Sequence, residues 1–178
     1  ITSIDNHIHG SENYPKQIDH SNYKFVRADM NNLYLIKDFI HESTNIVLLG
    51  GLVGDPITKK YPNLSHEIND LAVKNIIDLC MQLKQKRFIF VSTCSNYGLI
   101  PEDVTADENY KLDPLSLYVK AKVNAEKYIM SYKNKTAITP TILRFATAFG
   151  LSDRMRFDLT INQFVRSLQQ NQELMVFD

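Results

Sequence analysis

Residues 118–122 read Tyr-Val-Lys-Ala-Lys, and residues 91–98 read Val-Ser-Thr-Cys-Ser-Asn-Tyr-Gly. On a helix, Tyr118 and Lys122 stand four residues apart and share one face. A phenol titrates near ~10 in isolation, and a cation held within a few ångströms favours its ionised form. Such a tyrosine is a usable acid or base towards a substrate hydroxyl. The helix has its own signals: Asp113 predicts the N-cap, Pro114 the first helical position, and Ala121, Ala125 and 128–130 continue the pattern. Read alone, the spacing also suits a solvated helix face, so the neighbours must decide.

Working outward, residues 88–91 and 139–145 predict strands before and after that helix, with 99–112 a polar loop. Further back, 1–5 and 23–26 read as short strands, and 6–15 as a polar turn region. The run 45–49 reads as a strand buried on both faces. Leu33, Ile36, Phe39 and Ile40 fall at helical spacing, as do Ile68, Ala72, Ile76, Leu79 and Leu83 in a long helix from Ser65, closed by Lys84 and Lys86. Gly50, Gly51 and Gly54 loosen the backbone, and Asp55-Pro56 predicts no helix there. Residues 158–168 predict a helix and 174–177 the start of a strand. Strands alternating with amphipathic helices define an open, mostly parallel α/β sheet, which binds ligands beyond the carboxyl ends of its strands. Asp5, Asp29, 50–54, 93–98 and 147–150 all fall at such ends.

The chain of 178 residues, 44% hydrophobic, suits one domain. Twenty basic residues balance twenty acidic ones, which argues against a nucleic-acid or anionic-membrane footprint. No apolar run approaches the roughly 20 residues that a bilayer requires. Cys80 and Cys94, both in apolar contexts, read as free thiols in a cytoplasmic protein, Cys94 as a packed one. His7 and His9 lack nearby partners for a metal and read as a polar loop.

Taken in order, these residues resemble the extended short-chain dehydrogenase/reductase family, in its NAD-dependent nucleotide-sugar epimerase/dehydratase branch. VSTCSNYG at 91–98 matches the family's strand end carrying Ser or Thr, and YVKAK at 118–122 its Tyr-x-x-x-Lys. LRFATAFG at 143–150, IDN at 4–6, LLGGLVGDP at 48–56 and EIN at 67–69 match further segments. The resemblance implies a Rossmann-like doubly wound, mostly parallel sheet with Thr93, Tyr118 and Lys122 as catalytic residues. It implies NAD as cofactor, contacted by Asp5, Asn6, Asp29, Met30, Leu49, Gly50, Gly51 and Asn69 together with Tyr118 and Lys122. A carboxylate at Asp5 favours NAD over its 2′-phosphorylated form. It implies a nucleotide-sugar substrate met by Ser95, Thr147, Arg154, Arg156 and Asn162, no metal, and a homodimer in the full-length form. Plainer roles stand beside these: a turn acid for Asp5, a capping or solvent-facing Asn69, a merely β-compatible Thr93, and loop charges for Arg154 and Arg156.

Two departures qualify the match. The G-x-x-G-x-x-G fingerprint is absent, and Gly51-x-x-Gly54 follows the wrong strand to supply it. Its place precedes Ile1, so residues 1–178 read as a partial NAD-binding domain missing its first strand, with the substrate domain largely absent beyond Asp178. The expectation is an NAD-dependent epimerase acting through a transient keto intermediate. A dehydratase or reductase of the same family is the enzymatic alternative. Cys94 and Ser95 stand where dehydratases carry an Asp-Glu pair, which disfavours elimination. A non-catalytic truncated remnant or binding module is the other alternative, and on that ground the 178-residue chain alone is expected to be poorly stable or to aggregate, and not to bind NAD tightly.

Overall fold

The computed structural model describes residues 1–8, 20–83, 87–152, 155–174 and 176. Arg154, His9, Lys84, Lys86 and most of the 6–15 turn lie outside the described residues. The chain divides into two compact units, one of residues 1–6 with 22–146, the other of 7–21 with 147–178.

The first unit carries five parallel strands. These are β1 (Thr2–Asp5), β2 (Lys24–Arg27), β3 (Asn45–Leu48), β4 (Arg87–Thr93) and β5 (Thr139–Phe145). They form two sheets of order β1-β2 and β3-β4-β5, all pairs parallel. In a doubly wound sheet of order 3-2-1-4-5-6, that pattern is the full set minus the strand between β1 and β3. Among the described residues no strand pairs with that edge of either sheet. The fold expected from the sequence, including its missing first strand, is therefore the one observed.

Helices α1 (Leu33–Glu42), α2 (Asp55–Lys60), α3 (Pro62–Ser65), α4 (Val73–Gln82) and α5 (Leu117–Met130) connect the strands. Their apolar stripes close one core: Ile36 and Ile40 of α1, Ile76, Ile77 and Cys80 of α4, and Ala125 and Ile129 of α5. Phe88 and Phe90 of β4 are almost wholly enclosed there. Each such side chain contributes about 1.5–3 kcal/mol of burial. Ile4 and Val26, from the smaller sheet, pack on the same core.

Four local expectations are corrected. Strand β3 is not buried on both faces: Leu48 and Ile46 face the core, while Val47 points the other way and is exposed. Asp55-Pro56 opens α2 rather than stopping a helix, since a proline in the first turn loses no hydrogen bond. The cap of α5 is Ser116, whose Oγ accepts from Val119 N–H at 3.3 Å, not Asp113. Asp113 is committed elsewhere, its N–H donating to Asn96 O at 2.9 Å. Its carbonyl oxygen occupies the space that a Cβ on Gly98 would need, and Gly98 has φ +69°, so that turn admits glycine alone. Finally, Leu174 and Val176 belong to no strand.

The second unit carries α6 (Thr160–Gln169), which begins two residues later than the periodicity predicts. No helix among the described residues is long and apolar enough to cross a membrane.

Candidate active site

The carboxyl ends of the parallel strands in the first unit hold two groups of the residues singled out by the sequence. At the β1 and β2 ends, Asn6 Nδ2 donates to Asp29 Oδ2 at 3.1 Å, and Asn31 N–H donates to Asp29 Oδ1 at 2.8 Å. The Asn31 amide, then the Asn6 amide, hold the Asp29 carboxyl below its ordinary range. Asp5, the last residue of β1, is exposed and pairs in register with Arg27. Met30 reaches the loop after β3: a Cβ on Gly50 would lie 3.0 Å from its sulfur. Leu49 beside it is exposed.

That loop is pinned from the helix side. Asn69 accepts from Leu52 N–H at 2.8 Å and donates to Leu52 O at 3.0 Å, with a further bond to Ser65 Oγ at 3.2 Å. Asn69 is carried by a π-helical segment, His66–Ala72, set between α3 and α4. The wider turn lets its side chain reach across to the neighbouring loop. A Cβ on Gly51 would press on Asn69 Oδ1 at 3.0 Å. Asn69 thus anchors the glycine loop, and the plainer capping role is set aside.

The second group lies where β4 meets α5. Lys122 is 7% exposed, and its Nζ donates to Val91 O at 2.8 Å. The ammonium stands 4.7 Å from the Phe90 ring centre and 5.8 Å from that of Tyr118. Burial pushes the Lys122 ammonium down to about 8, against the opposing attraction of Glu126. Tyr118 is half-buried on the same helix face. Thr93 ends β4, and its Oγ1 accepts from Ser95 N–H at 3.2 Å, capping a 3-10 turn over Cys94–Tyr97. Acting as acceptor there leaves the hydroxyl proton to donate elsewhere. Ser95 is exposed on that turn. Cys94 is exposed too, not the packed thiol its apolar context suggests, because the 3-10 turn rotates it outward.

A folded-state value near 8 against ~10.4 unfolded means the unfolded chain binds more protons between those limits. Stability therefore rises as pH climbs from about 8 towards 10.5, as the buried ammonium becomes neutral. Lys122→Met is expected to remove this slope and to raise stability below pH 8, read by urea denaturation across pH. A slope unchanged in the variant contradicts the assignment.

Spacing singled out Tyr118 and Lys122 but not their support. Glu126, one turn further along α5 and 3% exposed, accepts from Ser92 Oγ at 2.5 Å and from Asn96 Nδ2 at 2.6 Å. Arg144 of β5 adds Nε and Nη2 bonds at 3.1 Å and 2.6 Å. The same guanidinium donates to Tyr97 OH and to Glu108 O, both at 3.1 Å. The i, i+4, i+8 run Tyr118-Lys122-Glu126 and the arginine inside an apolar strand were the available signals. A second network, also missed, joins α4 to α5: Tyr128 and Tyr132 both donate to Asp78 Oδ1 at 2.6 Å.

The remaining candidates lie in the second unit. Thr147 is exposed. Arg156 pairs bidentately with Asp158, at 3.1 and 2.5 Å, and Asn162 Nδ2 donates to Arg156 O at 3.0 Å. Arg156 and Asn162, with Gly150 and Leu159, line an open hollow of about 250 Å³. The Arg156 guanidinium is therefore already matched to a carboxylate, which the loop-charge reading anticipates as much as the diphosphate one.

Parallel strands, loops at their carboxyl ends and a tyrosine–lysine pair on α5 define an α/β protein of the doubly wound class. The model of the NAD dependent epimerase/dehydratase family matches residues 2–178, and the chain belongs to that family. NAD is the family's cofactor. Among curated relatives, the uncharacterized UDP-glucose epimerase YtcB of Bacillus subtilis is 32% identical over 117 residues, covering 66% of this chain and 35% of the relative. The UDP-glucose 4-epimerase of Thermus thermophilus, solved as a complex with NAD, superposes with a TM-score of 0.70 at 26% identity, over 80% of this chain and 46% of that one. UDP-N-acetylglucosamine 4-epimerase of Methanobrevibacter ruminantium M1 shares the fold at a TM-score of 0.85 and 20% identity, covering 99% of this chain and 57% of that one. The chain spans about half or less of the length of the curated relatives it matches, 35% and 51% for two of them.

Proposed function

We propose that residues 1–178 form the NAD-binding and catalytic part of a nucleotide-sugar epimerase, with much of the sugar-binding region elsewhere in the protein. The observation that carries this reading is the buried Lys122 ammonium beneath the Tyr118 ring, at the end of the strand that closes on Thr93. An ammonium kept out of water beside a phenol favours the phenolate, which no solvated helix face would do.

The residues present fit the nucleoside ends of the cofactor. Asp5 and the Asn6–Asp29 pair offer acceptors for ribose and adenine at the β1 and β2 ends. Leu49, Gly50 and Gly51 form the loop at the β3 end, held by Asn69 through Leu52, with its glycines packed closely on Met30 and Asn69. The pyrophosphate turn has no counterpart in these 178 residues. NAD, when bound, supplies a hydride acceptor that can return the hydride.

In this reading the Thr93 hydroxyl donates a hydrogen bond to the sugar oxygen that reacts. Tyr118 Oη takes the proton of that sugar hydroxyl as the carbon becomes a ketone. Lys122 holds Tyr118 in its ionised form and reaches the nicotinamide ribose. Tyr118 then returns the proton when the ketone is reduced from its other face. Ser95, Thr147, Arg154, Arg156 and Asn162 are the substrate-side candidates. Cys80 and Cys94 as free thiols support a reducing, cytoplasmic setting, and a homodimer of the intact protein completes the reading.

The test is calorimetric titration of the intact protein with NAD, followed by product analysis with UDP-glucose and UDP-glucuronic acid. Micromolar binding and release of a sugar epimer are expected. A second reading, a non-catalytic binding module, is favoured by the β1 and β3 edges, which no strand among the described residues pairs with. Absence of both NAD binding and turnover would select it.

A further inference from the structure

We infer that Glu126 is the positioning residue of this site: it fixes the Thr93 turn against α5 and places a negative charge one helical turn from Lys122. The inference rests on the roles proposed for Tyr118, Lys122 and Thr93. Glu126 gathers donors from three other elements, namely Ser92 of β4, Asn96 of the 3-10 turn and Arg144 of β5. Ser92 precedes Thr93, and Asn96 lies within the turn that Thr93 caps.

The turn accepts a cost to reach Glu126. Asn96 is wholly enclosed and gives its amide N–H groups to Ser92 Oγ, at 3.0 Å, and to Glu126, while its own Oδ1 is buried without a hydrogen-bond partner. An orphaned buried carbonyl is unfavourable by about 1–3 kcal/mol, so the arrangement persists because the donor side is held. A packing role alone would be met by an apolar side chain.

Electrostatics supply the second link. Lys122 faces Tyr118 and Glu126 along α5, and the Val91 carbonyl and Phe90 ring across on β4. No carboxylate among the described residues makes an ion pair with its Nζ. Glu126, one helical turn away, is the anion whose attraction opposes the burial cost of the ammonium. Arg144, itself stacked 5.1 Å from the Tyr97 ring centre, is neutralised by Glu126 and would be left as a bare, partly enclosed cation without it.

The experiment uses the intact protein with ¹⁵N-labelled lysine, comparing wild type, Glu126→Gln and Glu126→Asp. Glu126→Gln is expected to lower the pH at which Lys122 Nζ titrates by about one pH unit. The alkaline limb of the kcat profile should move with it, and kcat should fall about tenfold while KM for the sugar changes less than about threefold. Glu126→Asp keeps the charge and loses reach, so it should restore the Lys122 titration and leave kcat low. If Glu126→Gln does not fold, the Glu126→Asp arm decides alone: wild-type titration with reduced kcat supports the inference, and wild-type kcat overturns it. A folded Glu126→Gln protein with an unmoved Lys122 titration also overturns it. The titration is read without turnover, so wild-type protein lacking epimerase activity would refute the proposed function while leaving this result interpretable.

Discussion

Tyr118→Phe in the intact protein is expected to lower kcat by about 10²–10⁴-fold, the range that loss of a positioned acid–base group produces. The substitution removes one hydroxyl from a half-buried ring and leaves the face over Lys122 in place. Circular dichroism and the thermal midpoint should match wild type, and KM for the sugar should change little. An equal loss in kcat and kcat/KM would mark an interaction made in the transition state alone. Turnover near the wild-type rate would remove Tyr118 from the mechanism.

Arg144→Met is expected to cost about 3–5 kcal/mol of stability, because it leaves a buried carboxylate without its counter-ion. The pair is well enclosed, with the Arg144 and Glu126 side chains 19% and 4% exposed. The same substitution also strips a donor from Tyr97 and from the Glu108 carbonyl, so it should loosen the 99–112 loop. Adding Glu126→Leu to Arg144→Met should recover only part of the loss, since the lone charge is gone but the buried donors of Ser92 and Asn96 lose their acceptor. Urea denaturation of the three proteins measures both effects. A single-variant loss below about 1 kcal/mol would show that the pair is solvated rather than enclosed.

The strand–helix alternation was legible because its signals are local. Residues 139–145 form β5 as the β-branched run predicts, and Leu33, Ile36 and Ile40 place α1. What failed to show locally was decided by neighbours in space. Asp113 has the chemistry of a cap, but its amide serves Asn96 and its carbonyl fills the space beside Gly98, so Ser116 caps instead. Residues 45–49 have the composition of a central strand, yet only one face of β3 joins the core and Val47, on the other, is exposed.

The site divides in the same way. Tyr118 and Lys122 could be paired from helical spacing, whereas the Glu126–Arg144 partnership joins residues from α5 and β5 whose contact no periodicity encodes. The π-helical turn at Asn69 is equally silent in sequence. Its purpose is visible only in the bonds it makes to Leu52. Cys94 shows the opposite error: an apolar neighbourhood in sequence became an exposed thiol once the chain turned after Thr93.

In the proposed reaction the sugar carbon is oxidised and re-reduced by one hydride while Tyr118 carries only the hydroxyl proton. Epimerisation of a UDP-sugar by the intact protein in D₂O, followed by NMR of the product, tests it most directly. The inverted carbon is expected to keep its own hydrogen, with no solvent deuterium at that position. Deuterium incorporated at the inverted carbon, or no inversion by a protein that binds NAD and the sugar, would contradict it.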